Sequence, residues 1–267
     1  MERPHRADRR RAPERSRAHG DLRSPPLSLR GALCGLEDPQ GHPLVERHTL
    51  AYSPSIQTLD YTRRNRERLR NRASRPLVIA DPTMPDATLA PLPGARREGS
   101  RIGQLLRRSP LEGRAAGEAS FKRLAPVADL LHLATHGQFV EERPLDSWIA
   151  LAPEGKEDGF LRAAEIFTLD LKARMVVLSA CQSGQGRITG DGVLGLSRSF
   201  IGAGVPTVLV TQWSVEDEAT AYEMEAFYRA VARGIRPAAA LRQAMLQTKK
   251  KYPAVRSWAA FTLIGEG

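Results

Sequence analysis

The chain has 267 residues, 41% of them hydrophobic and 26% charged, enough apolar mass for a sizeable core and too much for wholesale disorder. No stretch approaches 18 uncharged apolar residues, which excludes a membrane-spanning helix, no membrane partner is expected, and no apolar core follows the N-terminal arginines as a secretory signal requires. Two cysteines, Cys34 and Cys181, make no disulfide framework, so the expectation is a soluble cytoplasmic protein in a reducing compartment.

The net charge of +10 is unevenly placed. Residues 127–267 hold 15 Lys/Arg against 16 Asp/Glu, which leaves +11 for residues 1–126, much of it in the runs 3–17 and 63–75. Runs of this kind read first as solvated faces or tails, with nucleic-acid contact the weaker reading. The basic balance belongs to the N-terminal part and says little about chemistry further on.

Residues 1–28 mix Arg, Pro, Ser and Gly with almost no apolar periodicity and read as a disordered tail. In residues 29–75, apolar positions return at Leu33, Leu36, Leu44 and Val45 around the turn Asp38-Pro39-Gln40-Gly41. A helix then follows Pro54-Ser55 to about Arg72, making this stretch a hairpin and an Arg-rich linker helix. From residue 76 to 267 strands and helices alternate in one domain. Residues 76–80 are a buried strand stopped by Asp81-Pro82, and residues 94–108 a helix with Ile102, Leu105 and Leu106 on one side. Residues 129–135 are a second buried strand, ended by His136-Gly137. Residues 148–151 read as a short antiparallel strand and 162–169 as a short helix.

Residues 174–180 form the third buried strand, closed by Cys181-Gln182-Ser183-Gly184. A helix over 192–201 turns Val193, Leu194, Leu196 and Phe200 toward a sheet, and residues 206–212 are the fourth strand. Ser214, three residues before Asp217, caps the next helix, which ends at Gly234; Pro237 opens another, and 259–264 is a last strand. Continuous apolar strands alternating with helices predict an α/β fold with a mostly parallel central sheet covered on both faces.

In such sheets reactive groups gather beyond the carboxyl ends of the strands. His136 and Cys181 both stand there, each followed by turn residues. If their strands are neighbouring and parallel, both side chains emerge at one edge as an imidazole–thiol pair. The imidazole can generate a thiolate that attacks a carbonyl and can then protonate the leaving amine. Gly137 beside the histidine allows close approach of a substrate backbone, and its N–H could face an oxyanion. Each residue also has a plainer reading, Cys181 as a small buried hydrophobe and His136 as a structural histidine.

Other motifs weigh less. Gly190-Asp-Gly-Val-Leu-Gly195 matches a dinucleotide fingerprint, but its first glycine comes well after the strand end, so it reads as a flexible loop leading into a helix. His132 and His136 have helical metal spacing yet sit on a strand with no third ligand evident, and His132 reads as buried and hydrogen-bonded. No metal and no organic cofactor is needed. Asp191 could accept a basic substrate side chain or cap the following helix. Trp213 could wall a primary pocket or anchor the core.

The strings LHLATHG (131–137), LDLKARMVVLSACQSG (169–184), GVLGLSRSFIGAGV (192–205) and WAAFTLIG (258–265) resemble the CHAT domain, a bacterial caspase-like family related to separases and caspases. Upstream, GLEDPQGHPLVERHTLAYSPSIQTL (35–59), PLVIADPTMP (76–85) and LPGARREGSRIGQLL (92–106) resemble its hairpin, first strand and first helix. The resemblance implies a caspase-like sandwich and a His/Cys endopeptidase, with His136 as general base and then acid and Cys181 as nucleophile. Gly137 and the Cys181 backbone N–H would be the oxyanion donors. It also implies a protein substrate and latency until a partner acts. The family often carries tetratricopeptide repeats, which this sequence lacks, so the expectation is either that it is a fragment or that a repeat-bearing or other regulatory partner is a separate protein. The alternative is a catalytically silent scaffold of the same fold.

Overall fold

A computed structural model describes residues 33–140, 142–182, 190–213 and 217–267, with side chains left out at 180–195 and 217. The predicted tail 1–28 and the Ser214 cap lie outside these residues. The chain enters through a short 3-10 turn at Leu33–Gly35, then α1 (Leu44–Arg47) and α2 (Ile56–Leu69). The Asp38 turn closes a single bridge, Glu37 to Pro43, rather than a true hairpin. Asp38 Oδ1 there accepts from the Gln40 and His42 N–H groups at 3.0 and 2.9 Å. Ser55 caps α2 by accepting the Thr58 N–H at 3.1 Å, the bond that satisfies an orphan donor of the first turn.

The alternating segments are β1 (Pro76–Pro82), α3 (Pro93–Leu106), β2 (Leu111–Gly113), α4 (Glu118–Leu124), β3 (Leu130–Gln138), β4 (Trp148–Ala150), β5 (Phe160–Arg162), α5 (Ala163–Thr168), β6 (Met175–Gln182) and α6 (Gly190–Gly202). They continue with β7 (Thr207–Thr211), α7 (Asp217–Ala232), α8 (Pro237–Lys251), α9 (Val255–Trp258) and β8 (Phe261–Gly265). The sheet order is β2-β1-β3-β6-β7-β8, parallel except for β8, and the β4–β5 hairpin hangs antiparallel from the end of β3. This is the predicted α/β sheet with helices on both faces.

Alternation along the strands divides the core. Leu131, Leu133, Val176 and Leu178 pack with Phe121 of α4, Ile166 of α5 and Phe200 of α6. Met175, Val177 and Leu209 pack with Ile102 of α3, Phe227 and Tyr228 of α7, and Leu241 of α8. The N-terminal segment belongs to this second layer: Cys34 and Val45 are buried in it, and the Tyr52 N–H donates to the Leu263 carbonyl at 2.8 Å.

Several details differ from the sequence reading. Strands β3 and β6 run on through His136 and Cys181, because the two strands stay paired there and β4 adds a rung at Gly137 and Gln138. Leu105 is exposed at 36%. The seat of α3 consists of Gly94, Glu98, Gly99, Ile102 and Gly103, and it is narrow since a Cβ on Gly99 would lie 2.3 Å from that of Ala80. Strands β2 and β5, of three residues each, and the short helices α4 and α9 were not anticipated. They are too brief to show a period.

Candidate active site

β3 and β6 lie parallel and in register from Leu130 opposite Met175 to Gly137 opposite Gln182, with His136 opposite Cys181. Neighbouring strands are spaced about 4.8 Å apart. The two sequence-predicted reactive positions therefore share the penultimate rung of adjacent strands at their carboxyl ends.

His136 is 4% exposed. Its Nε2 lies 2.7 Å from the Ala90 carbonyl oxygen. A carbonyl only accepts, so Nε2 carries the proton and donates, and Nδ1 is the lone-pair nitrogen. Ala90 lies in the connection from β1 to α3, which is clamped at both ends. Asp81, at the end of β1 with a left-handed φ of 44°, accepts the Leu92 N–H at 2.8 Å and meets Arg96 at 3.0 Å. Asp tolerates this conformation better than most residues. The strand stop at Asp81-Pro82 is legible in the sequence; the clamp is not. A backbone carbonyl such as that of Ala90 leaves no signal in a sequence at all.

The other predicted positions fall as follows. Gly137 is buried, paired with Gln182 and with Ile149 of β4. Trp213 follows β7, and its indole N–H donates to the Arg256 carbonyl at 2.8 Å while the ring packs on the second core layer. Asp191 lies in the first turn of α6, and its side chain is outside the described residues. The glycine-rich string 190–195 begins α6 rather than forming a phosphate turn directly on the strand end. His132 is fully buried as expected, with Nδ1 3.1 Å from the Tyr228 hydroxyl.

Among the described residues the acidic trio Glu118, Glu157 and Glu165 is spaced to hold a cation, but Lys122 Nζ already occupies its centre at 2.8, 2.5 and 2.7 Å. Burial works against the ammonium, and the three carboxylates outweigh it and hold its pKa above the usual lysine value. A cavity of about 430 Å³ opens at the opposite, amino-terminal edge of the sheet. Its Arg66 and Arg174 are paired with Glu266 and Asp129 at 2.6 and 2.5 Å, and it is remote from His136.

This arrangement is a caspase-like α/β fold. The separase of Saccharomyces cerevisiae, in a separase–securin complex, aligns over 82% of this chain and 14% of that one, at 15% identity and a TM-score of 0.52. The Arg-specific cysteine proteinase gingipain R aligns over 72% and 46%, at 10% identity and a TM-score of 0.49. A CHAT domain family model matches residues 19–266, and the chain belongs to that family. Tetratricopeptide repeat protein 28 of Mus musculus and of Homo sapiens are each 29% identical over 83% of this chain. The chain spans about 11% of the length of these curated relatives. Among the described residues no helix is long and apolar enough to cross a membrane.

Proposed function

We propose that the chain is a caspase-like cysteine endopeptidase acting on protein substrates. The observation that carries this reading is the rung shared by His136 and Cys181, with Ala90 fixing the proton on the far nitrogen of the imidazole. Nδ1 of His136 would take the Cys181 thiol proton, and the thiolate would add to the scissile carbonyl. The N–H groups of Gly137 and Cys181 would face the oxyanion. Collapse breaks the C–N bond as His136 returns its proton to the leaving amine, and water, deprotonated by the same nitrogen, hydrolyses the thioester. Asp191 would receive a basic side chain and Trp213 would wall the pocket. A free thiol nucleophile suits the cytoplasm, where thiols stay reduced.

Regulation by a protein partner fits two likenesses, the repeat-bearing curated relatives and the separase described in complex with securin. The same relatives also favour a second reading, a silent CHAT scaffold, because their names carry repeats and no peptidase.

Cleavage-site profiling of a cell lysate separates the two. With the wild type, new termini are expected that vanish with Cys181→Ala and fall by about 10³-fold in rate with His136→Ala, within the range of general acid–base contributions. Identical maps from wild type and Cys181→Ala, both folded, would mean a latent enzyme or the scaffold, and repeating the pair with the activating partner present would then separate those two.

A further inference from the structure

We infer that Glu98 is the positioning residue of this site: it seats α3 on both strands that carry the dyad and so keeps the Ala90 carbonyl on His136. The inference rests on the His136–Cys181 reading and deepens it. Glu98 is 5% exposed on the sheet side of α3. Its Oε2 accepts the Ser179 hydroxyl at 2.9 Å, two positions before Cys181 on β6. Its Oε1 lies 3.3 Å from Nε2 of His132, four positions before His136 on β3. Neither of these last two atoms has a hydrogen-bond partner among the described residues.

The proton positions follow from the surroundings. Burial, and then the Glu98 carboxylate, hold the Tyr228 phenol well above its usual range. It stays protonated and donates to Nδ1 of His132 at 3.1 Å, so the ring proton sits on Nε2 and faces Glu98. One carboxylate thereby bonds α3 to β6 and stands 3.3 Å from the His132 ring on β3, with α7 tied in through Tyr228. The Ser179 rung, opposite Ala134, is two below that of His136 and Cys181 and is therefore the preceding one on the same face of the sheet.

Stability alone does not call for a charge here. Burying a carboxylate carries a desolvation cost that its partners must compensate, and apolar residues of similar volume often serve as well. Its placement is what matters. The next residue, Gly99, is where α3 rides so close to β1 that an added Cβ would meet Ala80 at 2.3 Å. The start of the same helix holds Leu92, whose N–H is clamped by Asp81, and two residues earlier lies Ala90. A helix lifted at Glu98 carries Ala90 off His136, frees the imidazole tautomer and weakens the thiolate.

The test needs no substrate. Cys34 is buried and its thiol is pushed up to about 12 by burial, so iodoacetamide labelling reads Cys181. In the wild type the alkylation pH profile should have its midpoint below the roughly 8.5 of a free thiol. In Glu98→Gln it should move toward that value, with labelling at pH 7 slowed about tenfold, a modest loss beside the roughly hundredfold that a 1 Å misplacement can cause. Tyr228→Phe and Ser179→Ala, which each remove one oxygen, and Gly99→Ala, which touches no polar group, should shift it the same way. Nitrogen-15 spectra of His136 should show Nε2–H in the wild type and mixed tautomers in the variants.

Folded variants with lower melting temperatures but the wild-type midpoint and tautomer would make Glu98 merely structural and overturn the inference. A wild-type midpoint at the free-thiol value, unmoved by His136→Ala, would instead sink the dyad reading and this one with it. If Glu98→Gln does not fold, the two single-oxygen variants decide.

Discussion

The two faces of strands β3 and β6 are equally dry and built from different material. On one, Leu131, Leu133, Val176 and Leu178 meet Phe121, Ile166 and Phe200. On the other, Met175 and Val177 give way to His132, Ser179 and His136, against which stand Glu98 and Tyr228. The apolar face gains stability from area and close packing. The polar face carries desolvation costs that its hydrogen bonds only offset. Where a protein accepts such costs in one row of side chains leading to one strand end, that row is where positioning matters.

The largest way to break this comparison is through the apolar face. Leu133→Ala should lose about 2–5 kcal/mol of unfolding free energy, the usual range for a buried leucine including its cavity, read as a lower midpoint in urea. It should leave the pH profile of Cys181 alkylation where it is. A shifted profile would mean that the faces are not separable and that any core damage reaches Cys181.

Glu223 sharpens the polar side. It is buried on α7, its Oε1 has no partner among the described residues, and burial raises its carboxyl pKa well above the usual range. In the unfolded chain the acid ionises near pH 4.3. Above that pH, and up to the raised folded value, the unfolded state sheds a proton that the folded state keeps. Stability from this group is therefore full below the unfolded pKa and is lost as pH rises through the window, by at most about 1.4 kcal/mol per unit. Glu223→Gln should flatten the fall of the urea midpoint between pH 5 and 8. Parallel curves for the two proteins would show that the carboxyl is solvated.

The sequence carried the sheet because each central strand is a continuous apolar run ended by a turn: residues 76–80, 129–135, 174–180 and 206–212 mark β1, β3, β6 and β7, each start within one residue of the observed one. The pairing of His136 with Cys181 was legible for the same reason, since two parallel strands that start together end together. What was not legible depends on contacts across the fold. Glu98 gave a faint signal as a charge four residues before Ile102, on the row that seats α3, but nothing local names its partners on β3 and β6. Leu105 looked equivalent to Ile102 by period, yet the close approach at Gly99 narrows the seat and leaves it out. The clamp by Asp81 requires knowing that residues 81 and 92 meet.

The smallest effect separates position on a helix from the helix itself. Tyr228 and Arg229 are neighbours on α7, one buried against His132 and the other 62% exposed in its side chain and paired with Glu225 at 2.5 Å. An exposed pair at this spacing contributes about 0.3–0.5 kcal/mol and is screened by salt. Arg229→Gln should therefore lower the urea midpoint barely above error, less so at high salt, and should not touch the Cys181 profile. If it moves that profile as Tyr228→Phe is expected to, the buried hydroxyl has no special part, and α7 acts on Cys181 only through its overall stability.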